Sequence, residues 1–336
     1  MPNYYSLNPK EEVDRRTAEG LLRLQTALSS EIPGKTTDAT LLLASWNIRE
    51  FGGTKYGGRD TESLFYIAEI ISHFDLVAIQ EVRSDLGPLD DLMKILGKWW
   101  SYLVTDVTIG RQGNDERLSF LFDKRKMSFG GLAGEVTSAM VKKDQSLTIP
   151  FAFARSPYIV GFQAGWFKFK ICTGHLYYGA SKADDPQRVA EMEELVKLLD
   201  KQITDKDRWG RNIILLGDFN IFSTDDQTFK KMIKVFKTPP SITGAKTNQN
   251  RTKAFDQIAF ISPDNENHIA KSKGGVFDYY QYVYRQQDAS VYLKDKQKSF
   301  AEWRSYKMSD HLPLWTEIQV DFAQEYLVRK TKKPTE

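Results

Sequence analysis

The stretch "LLGDFNIF", residues 215–222, decides how this chain is read. It closes a longer apolar run, "NIILLGDFNI", that reads as a β-strand, and it places Asp218 and Asn220 two positions apart where that strand leaves the core. The pattern recurs along the chain. Asn47 follows "LLLASW", Glu81 follows "DLVAIQ", and His175 follows "ICTG", while Asp310 and His311, in "MSDHLPLW", precede the last strong strand. A single Asp or Glu in such a place is ordinarily a turn residue, a cap or a solvated side chain. Independent turns, however, have no reason to combine Asn, Glu, His, Asp-x-Asn and Asp-His at successive strand ends. In an α/β sheet such side chains project into a shared crevice, so residues remote in sequence can form one site.

The residue types in this set fit a hard cation and an anionic substrate. Carboxylate and amide oxygens are the ligands Mg²⁺ prefers, usually one or two carboxylates with several retained waters. Glu81 is the first candidate and Asp310 the second. Asp218 is suited to accept a proton from an attacking water or to ligate a second metal, and Asn47 and Asn220 can hydrogen-bond a phosphoryl oxygen without adding negative charge. His175 and His311, two of four histidines, can move a proton near neutral pH or stabilise developing negative charge. His73 and His268 read as ordinary surface histidines.

The composition is that of an ordinary globular protein: of 336 residues, 41% are hydrophobic and 27% charged, far from disorder or a membrane span. A net charge of +3 argues only weakly for an anionic partner, so the local distribution of charge must decide. Cys172 is the one cysteine, which excludes an internal disulfide and reads as a buried, inert thiol. "MPNYYSLNPKEEVDRR" lacks the basic start and apolar run of a secretory signal, which favours the cytoplasm and leaves secretion open.

Residues 12–28 carry Val13, Leu21, Leu24 and Leu28 at roughly helical intervals and predict an amphipathic helix packed on the body. Short apolar runs follow as strands: "LLLASWNI", "DLVAIQEV", "LSFLF", "YIVGF", "WFKFKICTGH", "NIILLGDFNI", "FDQIAFIS" and "LPLWTEIQV". Helices are predicted from Leu64 to Phe74 and over 186–200, where Val189, Met192, Leu195, Val196 and Leu199 line one face. The order suggests mixed sheets covered by helices. No repeat or long linker divides the chain. The economical division is a helical extension over 1–40, one α/β domain over 41–322 and a basic tail over 323–336.

At these residues the sequence resembles the endonuclease/exonuclease/phosphatase superfamily, most nearly its deoxyribonuclease I branch. The ordered series is "WNIREFGGTK", "AIQEVRS", "DERLSFLF", "FARSPYIVGF", "TGHLYY", "GDFN", "FDQIAF" and "SDHLP". The resemblance implies an α/β fold of the α+β type, a four-layer sandwich of two packed mixed β-sheets flanked by helices. It implies a Mg²⁺ ion, with Mn²⁺ as an alternative, at Glu81, with Asn47, Asp218, Asn220 and Asp310 around metal and scissile phosphate. It also implies two dyads, Glu116 with His175 and Asp256 with His311. Arg49, Arg83 and Arg155 match positions where that branch contacts DNA. The implied activity is an endonuclease cutting double-stranded DNA with little sequence specificity. Two departures matter: the disulfides of the secreted enzymes are absent, and the branch's minor-groove tyrosine is replaced by Asn114.

Between Gly275 and Ser309 an insertion rich in tyrosine, tryptophan, arginine and lysine leads into Asp310 and His311. Interleaved rings and cations suit nucleic acid, and the same residues suit a packed surface subdomain. Rival functions on the same scaffold are a phosphatase or sphingomyelinase-type phosphodiesterase, and a non-catalytic nucleic-acid-binding module.

Overall fold

The computed structural model describes residues 2–108, 115–143, 146–203, 211–263, 266–293 and 299–331. The strands are β1 (Thr40–Phe51), β2 (Leu76–Val82), β3 (Trp100–Val104), β4 (Arg117–Asp123), β5 (Ser128–Glu135), β6 (Val141–Lys143) and β7 (Ser146–Thr148). They continue with β8 (Tyr158–Ala164), β9 (Phe167–His175), β10 (Ile213–Asp218), β11 (Asp256–Ile261), β12 (Lys273–Val276) and β13 (Leu314–Gln319). The helices are α1 (Glu12–Glu31), α2 (Thr61–Ser72), α3 (Gly87–Leu96), α4 (Pro186–Asp200) and α5 (Gln227–Met232). After them come α6 (Glu266–Ala270), α7 (Ala289–Tyr292), α8 (Phe300–Lys307) and α9 (Ala323–Thr331). Among the described residues no helix is long and apolar enough to cross a membrane.

Two mixed sheets pack face to face, as the resemblance implied. One has the order β12-β13-β1-β2-β4-β3 and the other β11-β10-β9-β8-β5, while β6 and β7 pair as a separate two-stranded antiparallel sheet. Side chains alternate faces along a strand, and the alternation sorts this sequence into layers. Leu41 and Leu43, Leu76 and Ala78, Phe120 and Phe122, Phe169 and Ile171, Ile214 and Leu216, and Ile258 and Phe260 fill the space between the sheets. The opposite parity of β1, Leu42, Ala44, Trp46 and Ile48, faces the layer of α1, α2 and α3. Ile213 and Leu215 of β10 instead face Met192, Leu195 and Leu199 of α4 and Phe229 of α5. Truncating Phe120, wholly buried between the sheets, to Ala is expected to cost about 3–5 kcal/mol.

The predicted helices form with shifted ends. α1 runs three residues beyond the predicted end; Leu21, Leu24 and Leu28 are buried, whereas Val13, placed on the apolar face by its spacing, is half exposed. α2 begins earlier than Leu64 because Asp60 caps it, accepting a hydrogen bond from Ser63 N at 2.8 Å. Asp185 caps α4 in the same way. Lys35, just after α1, ties this segment to the end of β4: its Nζ donates to Asp123 Oδ2 at 3.0 Å, and Arg125 grips the same carboxylate.

The strand ends that matter are held by a glycine pair. Gly217 of β10 lies in register with Gly174 of the parallel strand β9, which sets Asp218 beside His175. Gly217 has φ +144°, and a Cβ there would stand 2.1 Å from Gly174 O. A Cβ on Gly174 would meet only Phe219 at 3.4 Å and Pro157 at 3.9 Å, ordinary contacts. Gly217→Ala is therefore expected to lower stability by more than about 2 kcal/mol in urea titration, with Gly174→Ala much milder. Equal losses would show that the close approach is not what the glycine provides.

A second expectation concerns acid. Burial works to raise the Asp123 carboxyl, but hydrogen bonds from Arg125 and Lys35 outweigh it and hold the group well below the usual carboxylate range. A depressed folded-state pKa gives stability that is present above the ordinary carboxyl pKa and lost as pH falls through the depressed value. Asp123→Asn is expected to lose stability at neutral pH and to flatten the decline expected of the parent below about pH 4. Parallel acid curves for the two proteins would contradict this.

Candidate active site

The same alternation that fills the inter-sheet layer carries it outward into polar residues at one end of the sandwich. β1 continues from Leu41 and Leu43 to Ser45 and Asn47, and β2 from Leu76 and Ala78 to Gln80. β9 runs from Phe169 and Ile171 to Thr173 and His175, and β10 from Ile214 and Leu216 to Asp218. β11 leads back from Ile258 to Asp256, and β4 leads back from Leu118 to Glu116 just before the strand. A first polar tier, in which Gln80 donates to Thr173 Oγ1 at 2.9 Å, separates the apolar core from the site.

Asp218 is the hub. Asn47 Nδ2 donates to Asp218 Oδ2 at 2.9 Å and to Glu81 Oε1 at 2.9 Å. His175 Nε2 and His311 Nε2 each lie 3.6 Å from Asp218 Oδ2, and Asn220 N donates to Oδ1 at 3.0 Å. On their far sides His175 Nδ1 meets Glu116 Oε2 and His311 Nδ1 meets Asp256 Oδ2, each at 2.8 Å. The first four strand-end residues, Asn47, Glu81, His175 and Asp218, and both dyads are thus brought together. Glu81 holds φ of +62°, an uncommon conformation for such a residue and a mark of backbone strain at a site, whereas Asn220, at +51°, is of a type that takes this conformation readily. Glu81 also lies where the β1–β2 register shifts, a bulge that redirects its side chain, and Glu50 N donates to its Oε2 at 2.9 Å.

The electrostatics follow from this geometry. Burial works to raise Glu116, yet His175 and Arg155 bring it down to about 2. Burial likewise opposes charge on both imidazoles. Arg155 adds to that for His175, but Glu116 and Asp218 leave it raised; Asp256 and Asp218 raise His311 well above its ordinary value. Asp218 is held below the usual range, since the two histidines prevail over burial. At 3.6 Å neither Nε2 makes a hydrogen bond to Asp218, so each Nε2–H remains for a ligand oxygen.

Several expected residues are placed differently from what their roles would require. Both amide hydrogens of Asn47 engage carboxylates, which leaves Oδ1, buried and without a hydrogen-bond partner among the described residues, as its free group. Asn47 is therefore arranged to offer an oxygen to a cation, not an N–H to a phosphoryl oxygen. Arg155, expected to touch DNA, is buried: its Nε lies 2.8 Å from Glu116 Oε2 and its Nη1 donates to His175 O at 3.2 Å. Arg49 and Arg83 are partly exposed beside the site. Arg83 Nη2 lies 3.6 Å from Glu50 Oε1, and Arg49 Nη1 lies 3.6 Å from Asp310 Oδ2. Asp310, 43% exposed, stands at the rim. Asn114 lies outside the described residues.

A metal fits this donor set. Glu81, Glu116 and His175 bring ligand atoms within 4.8 Å of one another, as do Asp218, Asp256 and His311. The second group and the Glu116–His175 part of the first are accounted for by the dyad hydrogen bonds. Glu81 is the carboxylate with no histidine partner, and together with the orphaned Asn47 Oδ1 it offers hard oxygen donors of the kind Mg²⁺ takes.

Ser309, Phe255 and the tyrosine pillars are site residues that the strand-end pattern does not single out. Ser309 Oγ donates to Asn47 O at 2.6 Å and accepts from Arg49 N and His311 N, so one hydroxyl joins the end of β1 to the 309–311 turn. Phe255 stacks on the His311 ring, with centroids 5.5 Å apart; its place directly before Asp256 is the one signal the sequence offers. Tyr279 and Tyr280, from the aromatic insertion, are buried and donate to the carbonyls of Ser309 and His311. This part of the insertion is packed structure that buttresses the site.

Comparisons with known proteins give the family and the fold. The sequence profile of the Endonuclease/Exonuclease/phosphatase family matches residues 44–258. A protein of Thioalkalivibrio sp. (strain K90mix) named deoxyribonuclease is 32% identical over 54% of this chain, which spans about half of that relative, 47% of its length. Deoxyribonuclease-1 of Bos taurus is 27% identical over 71% of this chain and 84% of its own length. Among solved structures, an endonuclease/exonuclease/phosphatase family protein of Bacteroides thetaiotaomicron superposes with TM-score 0.56 at 18% identity, covering 84% of this chain and 98% of the other. A mannosyl-6-phosphatase of the same organism gives TM-score 0.54 at 18% identity, covering 82% and 98%. At that identity the structures speak for the fold. With the profile spanning most of the chain, this protein belongs to the endonuclease/exonuclease/phosphatase family of hydrolases.

Proposed function

We propose that the protein is a divalent-metal-dependent phosphodiester hydrolase, an endonuclease that cuts double-stranded DNA with little sequence preference. The observation that carries this reading is the convergence of two carboxylate-backed imidazoles on one oxygen of Asp218, with Glu81 joined to the same oxygen through Asn47. Relatives named deoxyribonuclease support DNA as substrate.

Each Nδ1 is held by a carboxylate, so each Nε2 is the nitrogen that faces substrate. His311, the more strongly raised, keeps its Nε2 proton and delivers it to the leaving oxygen. Asp218, held ionised, accepts a proton from the attacking water. His175, kept cationic by Glu116, donates to a non-bridging oxygen on which charge grows in the transition state. Asn220, whose Nδ2 bonds Leu176 O at 2.9 Å, keeps a second amide hydrogen for the same oxygens. Glu81 and Asn47 Oδ1, with Asp310 as the further carboxylate, would hold Mg²⁺, or Mn²⁺ in its place. When bound, the ion acts as a Lewis acid on the phosphate. Arg155 orients the Glu116–His175 dyad and does not itself grip DNA.

The expected result is nicking of supercoiled plasmid with Mg²⁺ that chelation abolishes. His175→Ala or His311→Ala should each slow it by about 10²-fold or more. Unchanged cleavage by the double variant would contradict the mechanism. Hydrolysis of an inositol polyphosphate or sphingomyelin, with DNA left intact, would move the protein to another branch of its family.

A further inference from the structure

On the flank of the site, away from the dyads, two cations meet on one phenol oxygen. Arg49 Nη2 and Lys55 Nζ each donate to Tyr306 Oη at 2.9 Å, and both also lie over the face of the Tyr306 ring, 4.0 and 4.5 Å from its centre. Arg49 Nη1 is fixed further by Ser305 Oγ at 2.6 Å. Tyr306 itself is buried, whereas the side chains of Arg49 and Lys55 are 27% and 52% exposed. Tyr306 and Ser305 belong to α8, part of the insertion. The cluster is tied to the hydrolytic centre through the backbone: Arg49 N donates to Ser309 Oγ, and the next residue, Glu50, donates its N–H to Glu81.

The arrangement leaves donors over: an ammonium carries three N–H groups and a guanidinium five, and only some of them are engaged here. Like charges drawn to one oxygen repel, and the nearby carboxylates, Asp310 Oδ2 at 3.6 Å from Arg49 and Glu302 Oε1 at 3.7 Å from Lys55, stand at ion-pair distance without a hydrogen bond. With both lone pairs of Tyr306 Oη taken by cationic donors, its own hydrogen points elsewhere, and among the described residues it meets no acceptor. A planar guanidinium, an ammonium and a phenol hydrogen gathered in one place are the donors that grip a phosphate dianion or diester.

We infer that Lys55 and Tyr306 join Arg49, for which the resemblance already implies a DNA contact, in a second phosphate subsite, which holds a backbone phosphate flanking the scissile one, with Tyr306 as the positioning residue that aims both cations. The inference rests on the nuclease reading above and deepens it: the substrate is a polymer of phosphodiesters, and α8 of the insertion adds a contact that a single small ester cannot use. Each contact of this kind lowers KM for the polymer and adds about one unit to the salt dependence of its binding.

The test compares cleavage of a DNA duplex with hydrolysis of bis(p-nitrophenyl) phosphate, with Mg²⁺, for the parent, Lys55→Ala, Lys55→Arg and Tyr306→Phe. Lys55 is exposed, and Tyr306→Phe keeps the ring, so folding is not at issue. Lys55→Ala is expected to lower the ratio of kcat/KM on duplex to kcat/KM on the small ester about tenfold, mainly through KM. The slope of log KM against log salt should fall by about one, and Lys55→Arg should restore both. Tyr306→Phe should move the ratio in the same direction. A parent that cleaves duplex while every variant keeps the ratio and the slope overturns the subsite alone. A parent that hydrolyses only the small ester overturns the nuclease reading, and the subsite with it.

Discussion

One carboxylate oxygen organises the site. Asp218 Oδ2 receives the Asn47 amide, which also carries Glu81, and faces both imidazoles at equal distance. The group lies almost wholly buried, where a lone carboxylate would be strongly disfavoured, and it stays ionised because two histidines surround it. Each histidine is in turn kept charged by a second carboxylate behind it. The result is an alternation of opposite charges, Glu116, His175, Asp218, His311 and Asp256, with His175, Asp218 and Asp256 from one sheet and Glu116 and His311 from segments that lead into strands of the other. Removing one member leaves its neighbours buried and unpaired, so these residues act as one unit.

The fold delivers this unit by counting in twos. The inner-face positions of β1, β9, β10 and β11 between the sheets are apolar along the core and turn polar at the end of each alternation, where the sequence changes to Asn47, His175, Asp218 and Asp256. That is why much of the site is legible in the sequence: period-two alternation and a chemical residue at its end are both local features. The close glycine pair Gly174 and Gly217 is equally visible as "TGH" and "GDFN", although its reason, the approach of two parallel strands, needs three dimensions.

Contacts between remote segments leave no such local trace. Arg155 looks like a surface cation in "FARSP", and only the fold places it under Glu116. Edge strands such as β5, with glycines and largely exposed side chains, carry no clear alternation, and α3 is too short to stand out although Leu89, Leu92 and Leu96 show helical spacing. The tyrosine-rich insertion allows two readings because burial cannot be read from residue type. Tyr279 and Tyr280 are core residues whose hydroxyls cap the carbonyls of the 309–311 turn, while Tyr306 gathers Arg49 and Lys55 at the rim. One insertion thus holds the His311 loop in place from behind and presents charge in front.

If Asp218 and His311 work through a shared oxygen, their contributions to the reaction are coupled. The most direct measurement is a double-mutant cycle of single-turnover rates on duplex DNA with Mg²⁺, using Asp218→Asn, His311→Ala and the combined variant. The account predicts that the combined variant is about as slow as the slower single one, as for residues that act as a unit. Losses that simply multiply would contradict it, because they would mean that the two groups act independently and that Asp218 is not the hub.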